Sequence, residues 1–486
     1  MHNQSQASDR QTPCPDHRWF ALFVVLVAIV KLSLLAIWGP AIFPDTGAYV
    51  DLAKSILTDP DWWKVGGWGT SYAPPRLLRP YGYPLLIAAA MRFAADDYAF
   101  VLVGLQSLFS LVPLVLAGWV ARCLIPDRRL QAVVLVLYVA SGFMLFDLAI
   151  LTDSFYSSLF LCVFLLISAQ ILGLIRPTIS LALGLGLAWG LSITLRDVGL
   201  LHSFLPLAGV LLAGYWRRLG WGRSLALGTA FILPIAAIAF ATIHWNELRT
   251  GHAFYSITGG INWLWPSVNI ADRGLADPFD CADAICQTAK VHGFAKGMEG
   301  VFSIAAALWD ERHLDPVDFS RLTLAHFIGV AKTHPVALIA SMIGNLQFPH
   351  LADLIFNPLA NTNELAFLHS NVGHRLFDAP REMLRSVKNG AFWLAVPLLA
   401  QWIANGLAIA ALAFTILATP WIIRKQLRRG PDHQTIAALY LWLMAAGFIA
   451  SYCIVHMEMR HALPAVPLIL LAFGWAAAHI RPERRS

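Results

Sequence analysis

Two acidic residues lie at the edges of apolar segments, where a carboxylate could remove a proton from a substrate. Asp45 stands in FPDTGAYVDLAKSIL, directly after the first apolar segment, and Asp153 stands in LAILTDSFYSSLFL at the start of another. An ionisable group at the edge of a bilayer-crossing helix is a candidate functional residue. The alternative is structural, because Asp and Thr are good N-cap residues: Asp45, and Thr152 or Asp153, could each cap the helix that follows.

Three further segments carry basic groups that could hold an anion. Arg79 lies in LLRPYGYPLL, and Arg196 lies next to Asp197 in SITLRDVGLL. A planar guanidinium donates two parallel hydrogen bonds, which suits a phosphate group. The alternative for each arginine is that it reaches towards lipid headgroups as an anchor. That alternative is weaker for the third segment, HMEMRHALPAVP, which has several ionisable residues close together: His456, Glu458, Arg460 and His461.

Carboxylates and arginines together suit the transfer of a sugar from a lipid-linked phosphosugar. The lipid would stay in the bilayer with its phosphate at the interface, where an acceptor hydroxyl attacks the anomeric carbon and the lipid phosphate leaves. A positioned carboxylate that takes the hydroxyl proton raises a rate by roughly 10²–10⁴, and arginines stabilise the departing phosphate. The sequence has neither a phosphate-binding glycine-rich loop after a strand nor a GKS or GKT motif.

The composition indicates which kind of chain must position these residues. Of the 486 residues, 58% are hydrophobic and 13% are charged, with a mean hydropathy of +0.61, whereas soluble proteins are about 25% charged. This excludes a large soluble enzyme, a disordered chain and an ordinary nucleic-acid-binding protein. The formal charge of +6 is attributed to cytoplasmic loops, because such loops collect Lys and Arg in membrane proteins.

The apolar segments predict an all-α, polytopic transmembrane protein, since a bilayer-crossing helix needs roughly 20 apolar residues. Residues 335–356 are interrupted by polar side chains such as Asn345 and His350, and we predict a re-entrant or interfacial segment there. If they span instead, 391–423 must hold two spans to preserve the topology, which gives a range of 10 to 12 spans. The clear spans are 19–38, 98–121, 130–150, 154–175, 179–195, 198–216, 224–243, 403–423, 435–455 and 461–480.

Basic residues in the short loops predict the orientation. By the positive-inside rule, the Arg-rich loops and both tails, 1–18 and 481–486, face the cytoplasm, and 19–480 forms the transmembrane domain. The first span has no convincing cleavage site after it and is expected to stay as an anchor. The loops concerned hold Arg122, Arg128, Arg129, Arg176, Arg217, Arg218, Arg223, Arg424, Lys425, Arg428 and Arg429.

Two long segments, 39–97 and 244–390, face the outer side in this topology. Residues from Asp45 onwards show apolar positions at helical spacing, including Tyr49, so we predict a helix along the outer membrane surface. The segment around Arg79 predicts a second surface helix. Cys281 and Cys286 fall in the second outer segment, where the compartment would be oxidising, and they form either a disulfide or two unpaired thiols.

The sequence predicts no required metal or other cofactor. A divalent cation remains open, with Asp45, Asp153 and Glu458 as the candidate ligands. A zinc site made of loop histidines is disfavoured, because His369 and His374 are five positions apart and lack the i, i+4 spacing of a helical pair.

Six segments, taken in order, resemble bacterial membrane glycosyltransferases of the GT-C superfamily, and are similar to the protein O-mannosyltransferases and the lipid A aminoarabinose transferases. The segments are PDTGAYVDLA, RPYGYPLLIA, ILTDSFYSSLF, ITLRDVGLL, FYSITGGINWLW and MEMRHALPAVPLILL. The resemblance implies polyprenyl-phosphate-linked sugar donors, location in the bacterial inner membrane and an active site facing the periplasm. It also implies Asp45 as the catalytic base, Asp153 as the second acidic residue and Arg460 as the basic residue before the last span.

The remaining candidates are assigned to substrate binding alongside Arg460: Tyr49, Arg79, Arg196, His456, Glu458 and His461. The chain departs from the family pattern in three places. Many relatives have Glu where this chain has Thr46, Tyr where it has His461 and Pro where it has Asp197. The resemblance therefore implies neither the donor sugar nor the acceptor, and it favours neither named subfamily.

We expect an integral-membrane glycosyltransferase that moves a sugar from a polyprenyl-phosphate donor to a hydroxyl of a glycan, lipid or protein. The alternative is a transporter or flippase for a lipid-linked saccharide, which should place ionisable residues near the bilayer midplane. Lys31 is the residue that comes nearest to that position. A glycan ligase or polymerase is a third possibility, and its diphosphate donor would need more basic residues.

Overall fold

The computed structural model describes residues 18–64, 79–292, 297–361, 388–390 and 395–480. Within these ranges the regular structure is helical, and the extended pairing between Ala41 and Ala149 is an isolated bridge. The predicted all-α class is therefore confirmed. The tail 481–486 and residues 1–17 of the other predicted tail lie outside the described residues, as do His369 and His374.

The helices of the first half are joined by short connections, except around the undescribed residues 65–78. They are α1 (Arg18–Trp38), α2 (Thr46–Thr58), α3 (Gly82–Ala94), α4 (Tyr98–Phe109), α5 (Leu111–Leu124), α6 (Arg128–Ala140), α7 (Gly142–Asp147), α8 (Asp153–Ile171), α9 (Ile179–Leu195), α10 (Val198–Leu201), α11 (Phe204–Trp216) and α12 (Trp221–Thr250). α2 stands where the sequence predicts the first surface helix, whereas α3, in place of the second, begins the apolar stretch Gly82–Leu124 that is long enough to cross a membrane.

The second half begins with short helices and returns to long apolar ones. They are α13 (Thr258–Asn262), α14 (Trp265–Asp272), α15 (Ala284–His292), α16 (Gly297–Asp310), α17 (Pro316–Thr333), α18 (Pro335–Asn345), α19 (Phe348–Phe356), α20 (Ala395–Arg429), α21 (His433–Val455), a 3₁₀ helix (Met459–Ala465) and α22 (Val466–Ile480).

The described chain is a multi-pass membrane protein with fewer full-length spans than the ten clear ones predicted. Residues 130–150 do not form one helix, because Ser141 is extended (ψ −175°) and ends α6 after 13 residues. α9 is helical as predicted and has 17 residues, which is at the short end of the length that crosses a bilayer. Eight stretches are long and apolar enough: Arg18–Trp38, Gly82–Leu124, Asp153–Ile171, Val198–Trp216, Trp221–Thr250, Leu399–Arg429, His433–Val455 and Met459–Ile480.

The interrupted segment 335–356 is sharply bent. Together with α17 it forms a pair of apolar helical stretches that meet at 106°, the geometry of a broken ninth span or of a re-entrant loop. Gln347 separates α18 from α19 with a positive φ of 42°, a conformation that non-glycine residues rarely adopt. Residues 395–429 form one continuous helix, so the alternative of two spans in 391–423 is wrong.

Two apolar cores hold the helices together. The larger core lies within the helix bundle around α8, whose side chains are buried on nearly every face. A second core joins α13 to α17 of the outer segment, through side chains such as Leu264, Ile285, Leu308 and Phe319. The Cys281–Cys286 disulfide lies at the edge of this second core, and it is one of the two alternatives that the sequence left open.

The ends of neighbouring helices meet at two opposite ends of the bundle. Gln434 Nε2 donates to Cys123 O (2.7 Å), and Trp216 Nε1 donates to His433 Nδ1 (2.7 Å). These two bonds join the ends of α5, α11 and α21 beside the Arg-rich loops. Because consecutive long helices run in alternate directions, the segments with Asp45, Asp153 and Arg460 meet at the other end. The helix ends beside the Arg-rich loops and the segments with Asp45, Asp153 and Arg460 thus lie at opposite ends of the bundle, in agreement with the predicted alternation of loops. Which end faces the cytoplasm remains a prediction.

Candidate active site

One cavity lies between the end of the helix bundle and the outer segment, with a volume of about 1340 Å³. Residues from α2, from the turns before α8 and α10, and from the turn after α21 form one wall, and residues from α13, α14 and α17 form the other. All nine residues chosen from the sequence line this cavity: Asp45, Tyr49, Arg79, Asp153, Arg196, His456, Glu458, Arg460 and His461.

Asp45 occupies the N-cap position of α2, but its side chain does not cap the helix. Its backbone is already helical (φ −73°, ψ −20°), and no side-chain cap hydrogen bond is formed. Instead, Arg79 Nη2 donates to Asp45 Oδ1 (2.5 Å) and Arg460 Nη2 donates to Asp45 Oδ2 (2.8 Å). The capping alternative is therefore wrong for Asp45, whose side chain is 24% exposed at the cavity surface.

The chain before α2 is fixed to the chain before α8. Ala41 N donates to Leu148 O (2.7 Å) and Ile150 N donates to Ala41 O (3.0 Å). Thr46 donates from Oγ1 to Ile150 O (2.9 Å). These bonds bring Asp45 and Asp153 to the same cavity although they are far apart in the sequence.

Asp153 is the first residue of α8 and binds Arg196. Arg196 Nη1 donates to Asp153 Oδ1 at 2.5 Å, and the Asp153 side chain is only 2% exposed. Thr152 is the N-cap residue and makes no side-chain cap bond, so the capping alternative is wrong here as well. Asp197 has a structural role, because its carboxylate accepts bonds from Val198 N (3.0 Å) and from Ser256 Oγ.

The turn after α21 forms a compact charged group. Arg460 Nε lies 2.5 Å from Glu458 Oε2, and Glu458 N donates to His461 Nδ1 (3.2 Å). Burial raises the pKa of Glu458, but the hydrogen bond from His456 and the nearby positive charge of Arg460 hold that pKa well below its usual range. Glu458 is thus an anion at neutral pH, and it orients Arg460 towards Asp45.

Two aromatic contacts support this charged wall from behind. His456 stacks on Trp265 with ring centroids 3.9 Å apart and planes at 11°, which joins the turn to the outer segment. The guanidinium of Arg79 lies 5.1 Å from the centroid of the Tyr49 ring. Burial raises the pKa of Tyr49, so Tyr49 is a neutral support for Arg79.

The opposite wall is largely aromatic and aliphatic, and the sequence reasoning did not identify it. Phe254, Trp263, Phe302 and Leu324 line it. The sequence signal for part of it is the aromatic segment FYSITGGINWLW. A cavity with a charged wall and an apolar wall can hold a ligand that has a charged group and a ring or chain.

The carboxylates of the cavity do not fit a divalent cation. Asp45, Asp153 and Glu458 each lie within 2.8 Å of an arginine nitrogen. A cation placed there would have to displace those guanidiniums, and we derive no step through one. Among the described residues, one group has donor atoms at metal-binding spacing, and it consists of Cys281, Asp283, Cys286 and His326 on the outer segment.

No protein-family model and no curated protein sequence matches the chain. Among solved structures, ArnT from Cupriavidus metallidurans bound to undecaprenyl phosphate is similar over 95% of this chain and 78% of its own, with 16% identity and a TM-score of 0.36. The archaeal oligosaccharyltransferase AglB from Archaeoglobus fulgidus, in complex with an inhibitory peptide and a dolichol-phosphate, is similar over 95% of this chain and 50% of its own, with 12% identity and a TM-score of 0.45.

The same archaeal oligosaccharyltransferase in the apo form gives 11% identity and a TM-score of 0.46 over the same shares of the two chains. This chain thus spans about half the length of AglB. ArnT is a lipid A aminoarabinose transferase, one of the two kinds of enzyme that the sequence segments resemble.

Proposed function

We propose that this protein is a GT-C-type membrane glycosyltransferase that moves a sugar from a polyprenyl-phosphate donor to a hydroxyl acceptor, with Asp45 as the general base. The observation that carries the proposal is the position of Asp45 between Arg79 and Arg460 in a cavity of about 1340 Å³. A carboxylate that performs no capping, beside two guanidiniums, supplies a base and a phosphate-binding pair in one place.

The first step is an exchange of anions. In the structure both guanidiniums bind Asp45, so both of its carboxylate oxygens are engaged in hydrogen bonds. A lipid phosphate that enters the cavity offers the same arginines a doubly hydrogen-bonded partner. When Arg79 and Arg460 turn towards the phosphate, Asp45 is released to accept a proton, so the base becomes active only when the donor is bound.

The second step is the transfer itself. The acceptor oxygen forms a bond to the anomeric carbon while the bond between that carbon and the phosphate oxygen breaks. The hydroxyl proton passes to Asp45, and the bonding electron pair leaves with the lipid phosphate. Arg79 and Arg460 neutralise the charge that develops there, and Glu458 holds Arg460 in place (Nε to Oε2 2.5 Å).

Asp153 has different surroundings from Asp45, and we assign it a different role. It is almost completely buried and pairs with Arg196, whose side chain is 16% exposed. The Asp153 carboxylate therefore orients Arg196 at the cavity, where the guanidinium contacts either the donor phosphate or the transferred sugar. The apolar wall with Trp263 and Leu324 accommodates the first isoprenyl units or a sugar face.

The predicted topology places this cavity on the periplasmic face of a bacterial inner membrane, where polyprenyl-phosphate sugars serve as donors and the acceptor is a hydroxyl of the cell envelope. The competing flippase proposal would need ionisable residues along a path through the bundle. The Lys31–Asp147 ion pair is the nearest such feature, and neither residue is among those lining the cavity.

The experiment is to reconstitute the purified protein in sealed liposomes with a panel of polyprenyl-phosphate sugars, to add a cell-envelope extract as the source of hydroxyl acceptors, and to follow loss of each donor. We expect one donor to be converted to free polyprenyl phosphate, and Asp45→Asn to stop that conversion. A protein that moves the intact donor between leaflets without cleaving it would refute the transferase and favour the flippase.

A further inference from the structure

Four side chains with metal-ligand chemistry meet in the outer segment. Cys281 and Asp283 lie in the loop before α15, Cys286 lies in α15 and His326 lies in α17, and one donor atom from each falls within 4.8 Å of the others. Cys281 and Cys286 form a disulfide with Cα atoms 5.6 Å apart. The cluster has no part in the proposed transfer, because none of the four is among the residues lining the cavity.

His326 is held in place at both ring nitrogens. Its side chain is 2% exposed, Nδ1 lies 2.8 Å from Asp283 Oδ2, and Nε2 lies 3.0 Å from Ser267 Oγ. The order Ser, His, Asp is that of a hydrolase triad. Ser267 is completely buried and does not line the cavity, so a substrate cannot reach its hydroxyl and the triad interpretation fails.

The surroundings of His326 instead match those of a metal-binding imidazole. Such a histidine typically binds the metal through one nitrogen and donates the other N–H to a neighbouring group. Here Nδ1 faces Asp283 and the cysteines, and Ser267 Oγ can accept from Nε2. Asp283 Oδ2 lies 2.8 Å from His326 Nδ1 and supplies the carboxylate donor of the group.

We propose that Cys281, Asp283, Cys286 and His326 form a zinc-type metal site when the disulfide is reduced. The spacing Cys281-x₄-Cys286 fits the two to four intervening residues that are usual between zinc-binding cysteines. Zinc takes four donors at about 2.0–2.3 Å in a tetrahedron. Donor atoms already within 4.8 Å of one another reach that geometry through small side-chain movements.

The disulfide and the metal exclude each other, because both use the same two sulfur atoms. A dithiol or phosphine reductant supplies two electrons and becomes oxidised, the S–S bond breaks, and each sulfur takes up a proton. Binding of Zn²⁺ then releases those two thiol protons, and neutral His326 must be in the tautomer that leaves Nδ1 free for the metal and has its one ring proton on Nε2, where Ser267 Oγ accepts it. Cys281 is exposed and Cys286 is buried, so the reductant and the metal have access from the Cys281 side.

The site would act on the wall of the cavity. His326 belongs to α17, which also contributes Val317, Ser320 and Leu324 to the cavity lining. The disulfide closes the loop before α15 onto α15, and the His326–Asp283 bond joins that loop to α17. A metal would join the loop, α15 and α17 directly, whereas reduction without metal would leave the His326–Asp283 bond and the ring contact between Phe279 and His326.

The test uses the full-length, untagged protein in detergent, reduced with tris(2-carboxyethyl)phosphine, freed of reductant under argon and titrated with Co²⁺. We expect one Co²⁺ per chain with the visible absorption of tetrahedral, thiolate-bound cobalt, and its displacement by Zn²⁺. The oxidised protein should bind none. Ser267→Ala, which removes the partner of Nε2, should weaken binding roughly 10–100-fold.

Matched variants separate the proposed ligands from other thiols and from misfolding. Cys281→Ser alters an exposed side chain and should abolish the cobalt spectrum, whereas Cys162→Ser, at a free cysteine of the bundle, should leave it unchanged. Melting temperatures of the reduced variants show that each is folded. Failure of reduced wild type to bind one cobalt, or equal binding by folded Cys281→Ser, would overturn the site, and neither result depends on glycosyl transfer.

Discussion

Two acidic residues of this protein bind basic partners in opposite surroundings. Asp147 is completely buried, and its carboxylate contacts Lys31 Nζ, Ser110 Oγ (2.8 Å) and Ser154 Oγ. Asp45 lies at the surface of a cavity, and its partners are two guanidiniums. The first carboxylate is enclosed by protein groups and cannot exchange them. The second is open to the cavity, where our proposal has it exchange its partners for a ligand.

The largest expected effect on stability is that of Lys31→Met, which leaves Asp147 buried without its countercharge. Loss of one partner of a buried ion pair costs about 3–5 kcal/mol, so the melting temperature should fall strongly while the folded fraction keeps its transfer rate. Lys31→Met/Asp147→Asn is the control and should recover much of the stability. A Lys31→Met protein that is stable but cannot transfer sugar would contradict the distinction between the two ion pairs, because the Lys31–Asp147 pair would then take part in the reaction.

The next effect is that of Arg460→Ala on donor use. A charge-assisted hydrogen bond is worth about 1.5–3 kcal/mol, so the apparent KM for the polyprenyl-phosphate donor should rise by one to two orders of magnitude. Arg321→Ala is the matched control, because Arg321 also lines the cavity but its side chain is 77% exposed. Equal effects of both variants would show that Arg460 contributes only general positive charge.

A smaller effect, of opposite sign, is expected for lipid-phosphate binding by Asp45→Asn. The variant removes the anion that competes with the lipid phosphate for Arg79 and Arg460. Undecaprenyl phosphate should therefore bind severalfold more tightly, because a partly exposed ion pair is worth roughly 1 kcal/mol. Binding can be measured by microscale thermophoresis in detergent, with Asp51→Asn of the exposed face of α2 as the control. Unchanged or weaker binding would argue against the exchange of anions.

The smallest effect is a pH dependence of stability from Glu458. Its pKa in the folded protein is below its usual range, so its stabilising contribution is complete above the ordinary Glu value of about 4.3 and declines as the pH falls from there towards the folded value. Thermal melting at pH 7 and pH 3.5 should therefore show less acid destabilisation for Glu458→Gln than for wild type. Glu299→Gln, at an exposed glutamate of α16, should behave like wild type.

Much of the cavity could be predicted because each candidate residue is next to the end of an apolar segment. Alternation of spans then places Asp45, Asp153, Arg196 and Arg460 at one end of the bundle without further information. Their partners could not be predicted, since Arg79 and Arg460 lie 34 and 415 residues from Asp45. The position of Asp45 is also compatible with a helix cap, and its ion pairs with Arg79 and Arg460 exclude that alternative.

The errors in the span prediction have local causes. Residues 130–150 are apolar throughout most of their length, yet Ser141 interrupts the helix and Asp147 turns inwards to Lys31. Hydropathy does not register such a break, because a buried ion pair satisfies the polar groups that would otherwise oppose burial. The apolar wall from the outer segment was missed for a related reason, as side chains such as Trp263 become part of a site only through packing of the second core.

The most direct test of the central proposal is the single-turnover rate of sugar transfer by Asp45→Asn at saturating donor. Asn keeps the size and capping ability of Asp but cannot accept the acceptor proton. We expect the rate to fall by roughly 10²–10⁴ with donor bound and the melting temperature near that of wild type. A variant that transfers sugar at the wild-type rate would contradict Asp45 as the general base.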